Sequence, residues 1–259
     1  MKIKFLGCGS AFGSNYQTSA ILTSGSGKRL LIDAGTDIRF SLKDAGLSYK
    51  DVDAIFLTHS HADHIGGVEW LGFGRHFDKS DNGLPVLYGT GEFLDGLWEH
   101  SLSGGMGMIN GKRMDLQDYF QCHRLNNHLP GFIWEEMLFV PIKTRHVVVK
   151  NKIFPDCVLP SYGLSILSSE LNDTRVFYTG DAQFDDGLID HYYGKDLIFQ
   201  DCETAPYYSK VHAHYDELKT LSPEIKSKMW LMHYQDNPKQ EAIKDGFKGF
   251  VQQGQEFDF

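Results

Sequence analysis

The stretch LTHSHADHIGG, residues 57–67, narrows the possible folds more than any other: His59, His61, Asp63 and His64 fall within six consecutive positions directly after an apolar run. An ordinary turn gains nothing from several imidazoles, which compete for donors and repel one another once protonated. A metal ion holds neutral imidazoles and a carboxylate together. Val52 to Thr58 reads as a buried strand, His59 and His61 lie in the loop behind it, and Asp63 and His64 open a segment, helical to about His76 in spite of Gly66 and Gly67. The chain must therefore present its chemistry at the carboxyl end of a strand, on a rigid scaffold beside an open cleft.

The rest of the chain fits such a scaffold. Ile3 to Leu6, Ala20 to Thr23 and Leu30 to Asp33 read as strands, Asp37 to Ala45 as a helix. Residues 101–135 mix Gly, Asn, Met and aromatics with weak periodicity, which predicts an insertion or lid with short elements of its own. Strands resume at Met137 to Ile142, Thr144 to Lys150, Tyr162 to Leu167, Arg175 to Thr179, Leu197 to Gln200 and Met229 to Met232. With 259 residues and 41% hydrophobic content, a single α/β domain over residues 1–259 is expected. Two strand-rich halves with helices predict a four-layer αββα sandwich.

Composition removes several function classes. A net charge of -9 offers no basic footprint for a long polyanion, since nucleic-acid affinity rests on cationic side chains releasing counterions. Cys8, Cys122, Cys157 and Cys202 form no CxxC pair, and MKIKFLGCGS lacks the apolar stretch of a signal peptide, which points to reduced thiols in a cytoplasm. No apolar run reaches the roughly 20 residues that span a bilayer. GCGSAFG resembles a dinucleotide loop only superficially, because Phe12 stands where the third glycine belongs.

Three later residues sit at or beside strand ends: His146 in KTRHVVV, Asp181 in VFYTGD and His233 in MWLMHY. The ordered pattern LLIDAG, THSHADH, an isolated His, TGD and a late His resembles the metallo-β-lactamase fold across essentially the whole chain. Carried over by motif, the resemblance implies one metal on His59, His61 and His146, and a second on Asp63, His64 and His233, with Asp181 bridging. Asp63 thus counts among both the ligands and the catalytic groups. Asp33 is either a hydrogen-bonding support for the ligand loop or a simple turn aspartate. Zinc suits the histidine-rich set best, with manganese or iron as alternatives. Two ions about 3.5 to 4 Å apart share a hydroxide that attacks phosphorus near neutral pH.

Departures from relatives narrow the resemblance. β-Lactamases of this fold place a cysteine where this chain has Asp181, flavo-di-iron relatives carry a carboxylate at the position of His61, and glyoxalase-type thioesterases add a helical domain, whereas 26 residues follow His233. The phosphodiesterase branch remains, with tRNA 3′-processing endonucleases (RNase Z) and cyclic-nucleotide phosphodiesterases, and FLGCGSAFGSNYQTSAIL resembles that branch especially. By the RNase Z pattern His212, 21 residues before His233, is the general-acid histidine, with His214 as the other candidate and Glu203 as the carboxylate orienting the acid. A surface helix cap is the bland reading of either histidine. Tyr162, Tyr207, Tyr208, Phe184 and Trp70 are core or, for one or two of them, a stacking surface for a nucleobase.

The chain is most similar overall to the phage-type anti-Pycsar phosphodiesterases. That resemblance implies an enzyme that opens 3′,5′-cyclic nucleotides such as cyclic CMP and cyclic UMP, which bacteria use as defence signals, while the RNase Z resemblance implies a homodimer. The alternative is RNase Z-type tRNA processing, disfavoured because residues 101–135 carry only Lys112, Arg113 and Arg124 as fixed positive charge. A non-catalytic metal-containing binding protein is a third reading, against which seven ligands for two ions leave coordination open to water and substrate.

Overall fold

The computed structural model describes residues 1–78, 83–126, 131–149, 157–168 and 175–259. The chain forms two compact units: residues 1–7, 16–132 and 253–259 make one, residues 8–15 and 133–252 the other. Each is built on a seven-stranded mixed sheet.

In the first unit the strand order is Glu256–Asp258, Lys2–Gly7, Ser19–Thr23, Arg29–Ile32, Ala54–Phe56, Val86–Thr90 and Gln121–Leu125. The first three pairings are antiparallel and the last three parallel. Arg29–Ile32 and Ala54–Phe56 are almost wholly buried, as a strand with apolar residues on both faces requires. The expected helix at Asp37 to Ala45 is Ile38–Asp44. The long helix expected from Asp63 to His76 is two, Ala62–Ile65 and Val68–Phe77, with the Gly66–Gly67 pair between them.

Residues 101–135 differ in part from a free lid. Leu102, Met106, Tyr119 and Phe120 are buried, so helical residues 98–106 are anchored in the core, and Gln121–Leu125 is an edge strand of the sheet. The projecting part is the hairpin of Met108–Ile109 with Lys112–Arg113, turned by Asn110 and Gly111 at φ of 50° and 75°, the Asn-Gly chemistry of a tight hairpin. Residues 127–130 lie outside the described residues.

In the second unit the order is Gly249–Phe250, Met229–Met232, Leu197–Asp201, Arg175–Tyr178, Ser161–Ser168, Met137–Thr144 and Phe132–Trp134. Parallel pairing from Arg175–Tyr178 to Gly249–Phe250 aligns the carboxyl ends of four strands. The strand expected from Thr144 to Lys150 is interrupted: Met137–Thr144 stops at Thr144 and only Val148–Val149 resumes, because the Arg145 carbonyl accepts the amide of Gln183 at 2.6 Å and not a ladder bond. Lys150 lies outside the described residues. Short helices Asp186–Asp190, Tyr215–Leu218 and Pro223–Lys226 accompany this sheet. Its buried core includes Phe177, Tyr192, Ile198, Tyr215, Leu231 and Phe247.

Among the described residues no helix is long and apolar enough to cross a membrane. Cys8, Cys122 and Cys202 are free thiols.

Candidate metal centre

In the first unit the strands Arg29–Ile32 and Ala54–Phe56 end side by side, and the loops that leave them interlock. Asp33, fully buried, accepts hydrogen bonds from the Thr58 amide at 2.8 Å, from Thr58 Oγ1 at 2.9 Å and from His64 Nδ1 at 2.8 Å. The Ala34 amide donates to the His64 carbonyl at 2.7 Å, and the Gly67 amide to the Ala34 carbonyl at 2.8 Å. Any side chain at Gly35 would collide with the backbone carbonyl of Asp63, so glycine there lets LLIDAG lie against the histidine loop. Of the two readings open for Asp33, the supporting role is the one its contacts fit.

This network fixes tautomers. Thr58 Oγ1 gives its proton to Asp33 and stands 3.0 Å from His59 Nδ1, which must then donate, leaving His59 Nε2 as the ring's acceptor nitrogen. His64 donates from Nδ1 to Asp33, and its Nε2 faces Asp63 Oδ2 at 3.2 Å. His59 Nε2 lies 3.0 Å from His61 Nδ1. Imidazoles whose outer nitrogens are tied down while the inner ones converge with a carboxylate have the arrangement that metal-binding histidines adopt. Burial pushes the Asp33 carboxyl upward, while the charge and hydrogen bond of His64 and the two bonds from Thr58 work against that rise.

The second unit repeats the device. His146 donates from Nδ1 to the Val211 carbonyl at 2.7 Å, and its Nε2 lies 3.8 Å from Asp181 Oδ2. Burial lowers its pKa more than Asp181 raises it, so the ring stays neutral and able to ligate. His233 turns Nε2 toward Asp181 Oδ2 at 3.5 Å and Nδ1 toward Asp201 Oδ1 at 3.4 Å. It stands just past Met229–Met232 at φ 58°, a left-handed conformation that non-glycine residues hold only where the surroundings over-determine it. Asp181, Asp201, His212 and His233 offer ligand atoms within 4.8 Å of one another. The second unit's donor set thus fits a metal, and the first unit supplies three imidazoles and a carboxylate of the kind a metal takes.

His212 differs from the other histidines of this group. Its side chain is 18% exposed, against 1% for His146 and 3% for His233, and its Nδ1 is bonded to Asp201 Oδ2 at 2.8 Å. Burial alone would lower its pKa, but the charge and hydrogen bond of Asp201, with Asp181 adding, hold it above the ordinary value. Burial, the largest single influence, and the charge of Asp181 raise Asp201, but the charge of His212 together with hydrogen bonds from His212 and His233 brings it below the ordinary value.

The expectation that Glu203 orients His212 is corrected: the carboxylate on His212 belongs to Asp201, which also accepts the Ala182 amide at 2.9 Å. Glu203 accepts the Ser209 amide at 2.8 Å instead. The signal was present, since LIFQD ends an apolar strand in an aspartate much as VFYTGD does; reading the strand as ending at Gln200 hid it. His214 is the N-cap of Tyr215–Leu218, with Nδ1 accepting the Asp216 amide and Nε2 bonded to the Ala205 carbonyl at 3.0 Å. Both ring nitrogens are engaged, which is the helix-cap reading. Among the aromatics, Tyr162 is buried, Phe184 packs on the core, Trp70 meets Tyr49 edge-on at 5.8 Å, Tyr208 stacks on His214 at 3.8 Å, and Tyr207 is 66% exposed.

Residues 1–257 match the family model described as Anti-Pycsar protein Apyc1. The Anti-Pycsar protein Apyc1 of Bacillus phage vB_BveM-Goe7 is 31% identical over 265 residues, covering 98% of this chain and 97% of its own length. That of Paenibacillus harenae is 32% identical over 254 residues, covering 97% of each. Two solved structures share the fold over 100% of this chain, both with a TM-score of 0.70: a diphosphatase of the PhnP family, 20% identical with 97% of its chain covered, and the human short-form tRNase Z, 16% identical with 99% covered. Two mixed sheets with helices agree with the expected metallo-β-lactamase fold. By sequence over nearly its full length, the chain belongs to the Anti-Pycsar Apyc1 family.

Proposed function

We propose that this metal-dependent hydrolase opens 3′,5′-cyclic nucleotides, pyrimidine ones included, to linear monophosphates. The observation that carries the reading is family membership across residues 1–257 in a chain that keeps a full donor set. We assign His59, His61 and His146 to one ion and Asp63, His64 and His233 to a second, with Asp181 between them. Metal ions held there, zinc by the preference of imidazole donors, would supply an activated water near neutral pH and neutralise charge on the phosphate.

The chain's own residues do the rest. Asp33 keeps His59 and His64 in the tautomer that ligates. Asp201 favours the protonated form of His212 and aims it by Nδ1, so that Nε2–H is the proton source for the departing ribose oxygen, a general-acid contribution of roughly 10²- to 10⁴-fold. The exposed hairpin Met108–Arg113 is the part of residues 101–135 we assign as a lid, and a homodimer is the assembly we expect.

The test is a panel of 3′,5′-cyclic nucleotides and a precursor tRNA at matched enzyme and salt, with products separated chromatographically. Cyclic CMP and cyclic UMP should open while the tRNA stays intact. Efficient tRNA trimming with intact cyclic nucleotides would install RNase Z activity in its place.

A further inference from the structure

Phe12 has its side chain fully in solvent, with a relative exposure of 102%, yet its loop is tightly held. Asp236 accepts the Ser14 amide at 2.6 Å, Ser14 Oγ at 2.7 Å and the Asn15 amide at 3.3 Å. A Cβ at Gly13 would come within 2.8 Å of Asp236 Oδ1, so glycine there permits the clamp. On the other side of Phe12 the Ser10 amide donates to the Tyr234 carbonyl at 3.1 Å, and Tyr234 Oη lies 3.2 Å from Cys8 Sγ. Fixing a backbone costs on the order of 1–2 kcal/mol per residue, and this loop recovers none of it by burying its largest apolar side chain. An ordered loop with an unburied ring at its tip is built to meet something apolar and flat.

The place where the clamp is attached identifies that partner. Tyr234 and Asp236 belong to the segment that begins at His233, so the loop carrying Phe12 and the histidine assigned to the metal are fixed to one stretch of backbone within the same unit. A mononucleotide bound by its phosphate at that histidine extends its base one sugar away, toward the surrounding loops.

We propose that Phe12 is the platform on which the nucleobase stacks, an inference that rests on the cyclic-nucleotide reading of the site. Stacking is indifferent to base identity, because every base offers a π-face, so Phe12 confers affinity for nucleotides over base-free phosphodiesters without selecting among bases. Gln235 accepts Thr204 Oγ1 at 2.9 Å and so ties the loop bearing exposed Tyr207 to the same segment, which makes Tyr207 the natural rival.

The experiment compares wild type, Phe12→Ala, Phe12→Leu, Phe12→Trp and Tyr207→Ala, each metal-loaded, on cyclic CMP, cyclic AMP and the 3′,5′-cyclic phosphate of a base-free ribose. Dissociation constants for the 3′,5′-cyclic phosphorothioate of cytidine are measured by calorimetry alongside. Base–aromatic stacking worth 1–3 kcal/mol predicts a roughly 5- to 150-fold rise in KM and Kd for Phe12→Ala, similar for both bases, with kcat nearly unchanged. Leucine should fail to restore affinity, tryptophan should restore it, and hydrolysis of the base-free substrate should not change. Unchanged KM and Kd in Phe12→Ala, a loss confined to Tyr207→Ala, an equal loss on the base-free substrate, or a changed oligomeric state in Phe12→Ala would each overturn the proposal. Wild-type enzyme that opens no cyclic nucleotide would instead overturn the reading beneath it.

Discussion

Asp33 offers the sharpest test of how the ligand loop is organised, because two substitutions there separate stability from metal binding. Asp33→Ala removes the acceptor of three donors. The Thr58 amide and the His64 ring are then left buried without it, at about 1–3 kcal/mol each, whereas Thr58 Oγ1 still accepts from His59 Nδ1, 3.0 Å away. Asp33 also sits at φ 62°, a conformation that costs alanine roughly 1 kcal/mol more than aspartate. The sum is a loss of about 3–7 kcal/mol, a large share of a typical 5–15 kcal/mol stability. Asp33→Asn behaves otherwise. Its amide oxygen still accepts the Thr58 amide, but its NH₂ replaces the oxygen facing His64 Nδ1, so His64 must accept there and carry its proton on Nε2. That proton occupies the lone pair assigned to the metal. Urea unfolding in EDTA should therefore show a drop of no more than about 2 kcal/mol for Asn against the larger drop for Ala, while elemental analysis shows metal lost from both. Full metal content and turnover in Asp33→Asn, or an Ala variant within 1 kcal/mol of wild type, would refute the tautomer argument.

Asp181→Ala should lower metal content and hydrolysis together, whereas His212→Ala should keep both metals and lose turnover by roughly 10²- to 10⁴-fold, read by elemental analysis and steady-state kinetics. Asp201→Asn should reduce kcat far more than Glu203→Gln does; equal effects would return the orienting role to Glu203. Burial pushes the Cys122 thiol up to about 11. A raised pKa leaves the neutral thiol dominant below it, so iodoacetamide labelling of the Cys122 peptide should be slow at pH 7 and quicken about tenfold per pH unit up to pH 10; a rate already at its plateau by pH 8 would contradict this.

The candidate donor cluster was legible because its residues are chemically costly anywhere else: clustered His59, His61, Asp63 and His64, then His146, Asp181 and His233 at strand ends. Asp201 was not, since one acidic residue after an apolar strand also reads as an ordinary turn, and only the fold brings it against His212. Glu203 and Asp201 share strand parity and both are buried, so neither alternation nor burial chooses between them; their partners do, His212 for Asp201 and the Ser209 amide for Glu203. The break at Arg145–Val147 was hidden for a related reason, as KTRHVVV has strand composition throughout and its interruption is decided by distant Gln183. Helix breaking at Gly66–Gly67 was underweighted, because two adjacent glycines each lose backbone entropy in a helix.

The strand Lys2–Gly7 lies between Ser19–Thr23 and Glu256–Asp258, with Lys2 opposite Asp258 and the Met1 ammonium donating to the Phe259 carbonyl at 2.6 Å. One flank of that strand is thus sealed by a segment distant in sequence. Until Glu256–Asp258 docks, that flank is an open edge on a strand whose Ile3, Phe5 and Leu6 are otherwise buried, and pairing across 254 residues is among the slowest kinds of contact to form. Lys2 and Lys4, neutralised by Glu256 once the pairing is made, serve in the interval as the charges that keep the edge from recruiting a second chain.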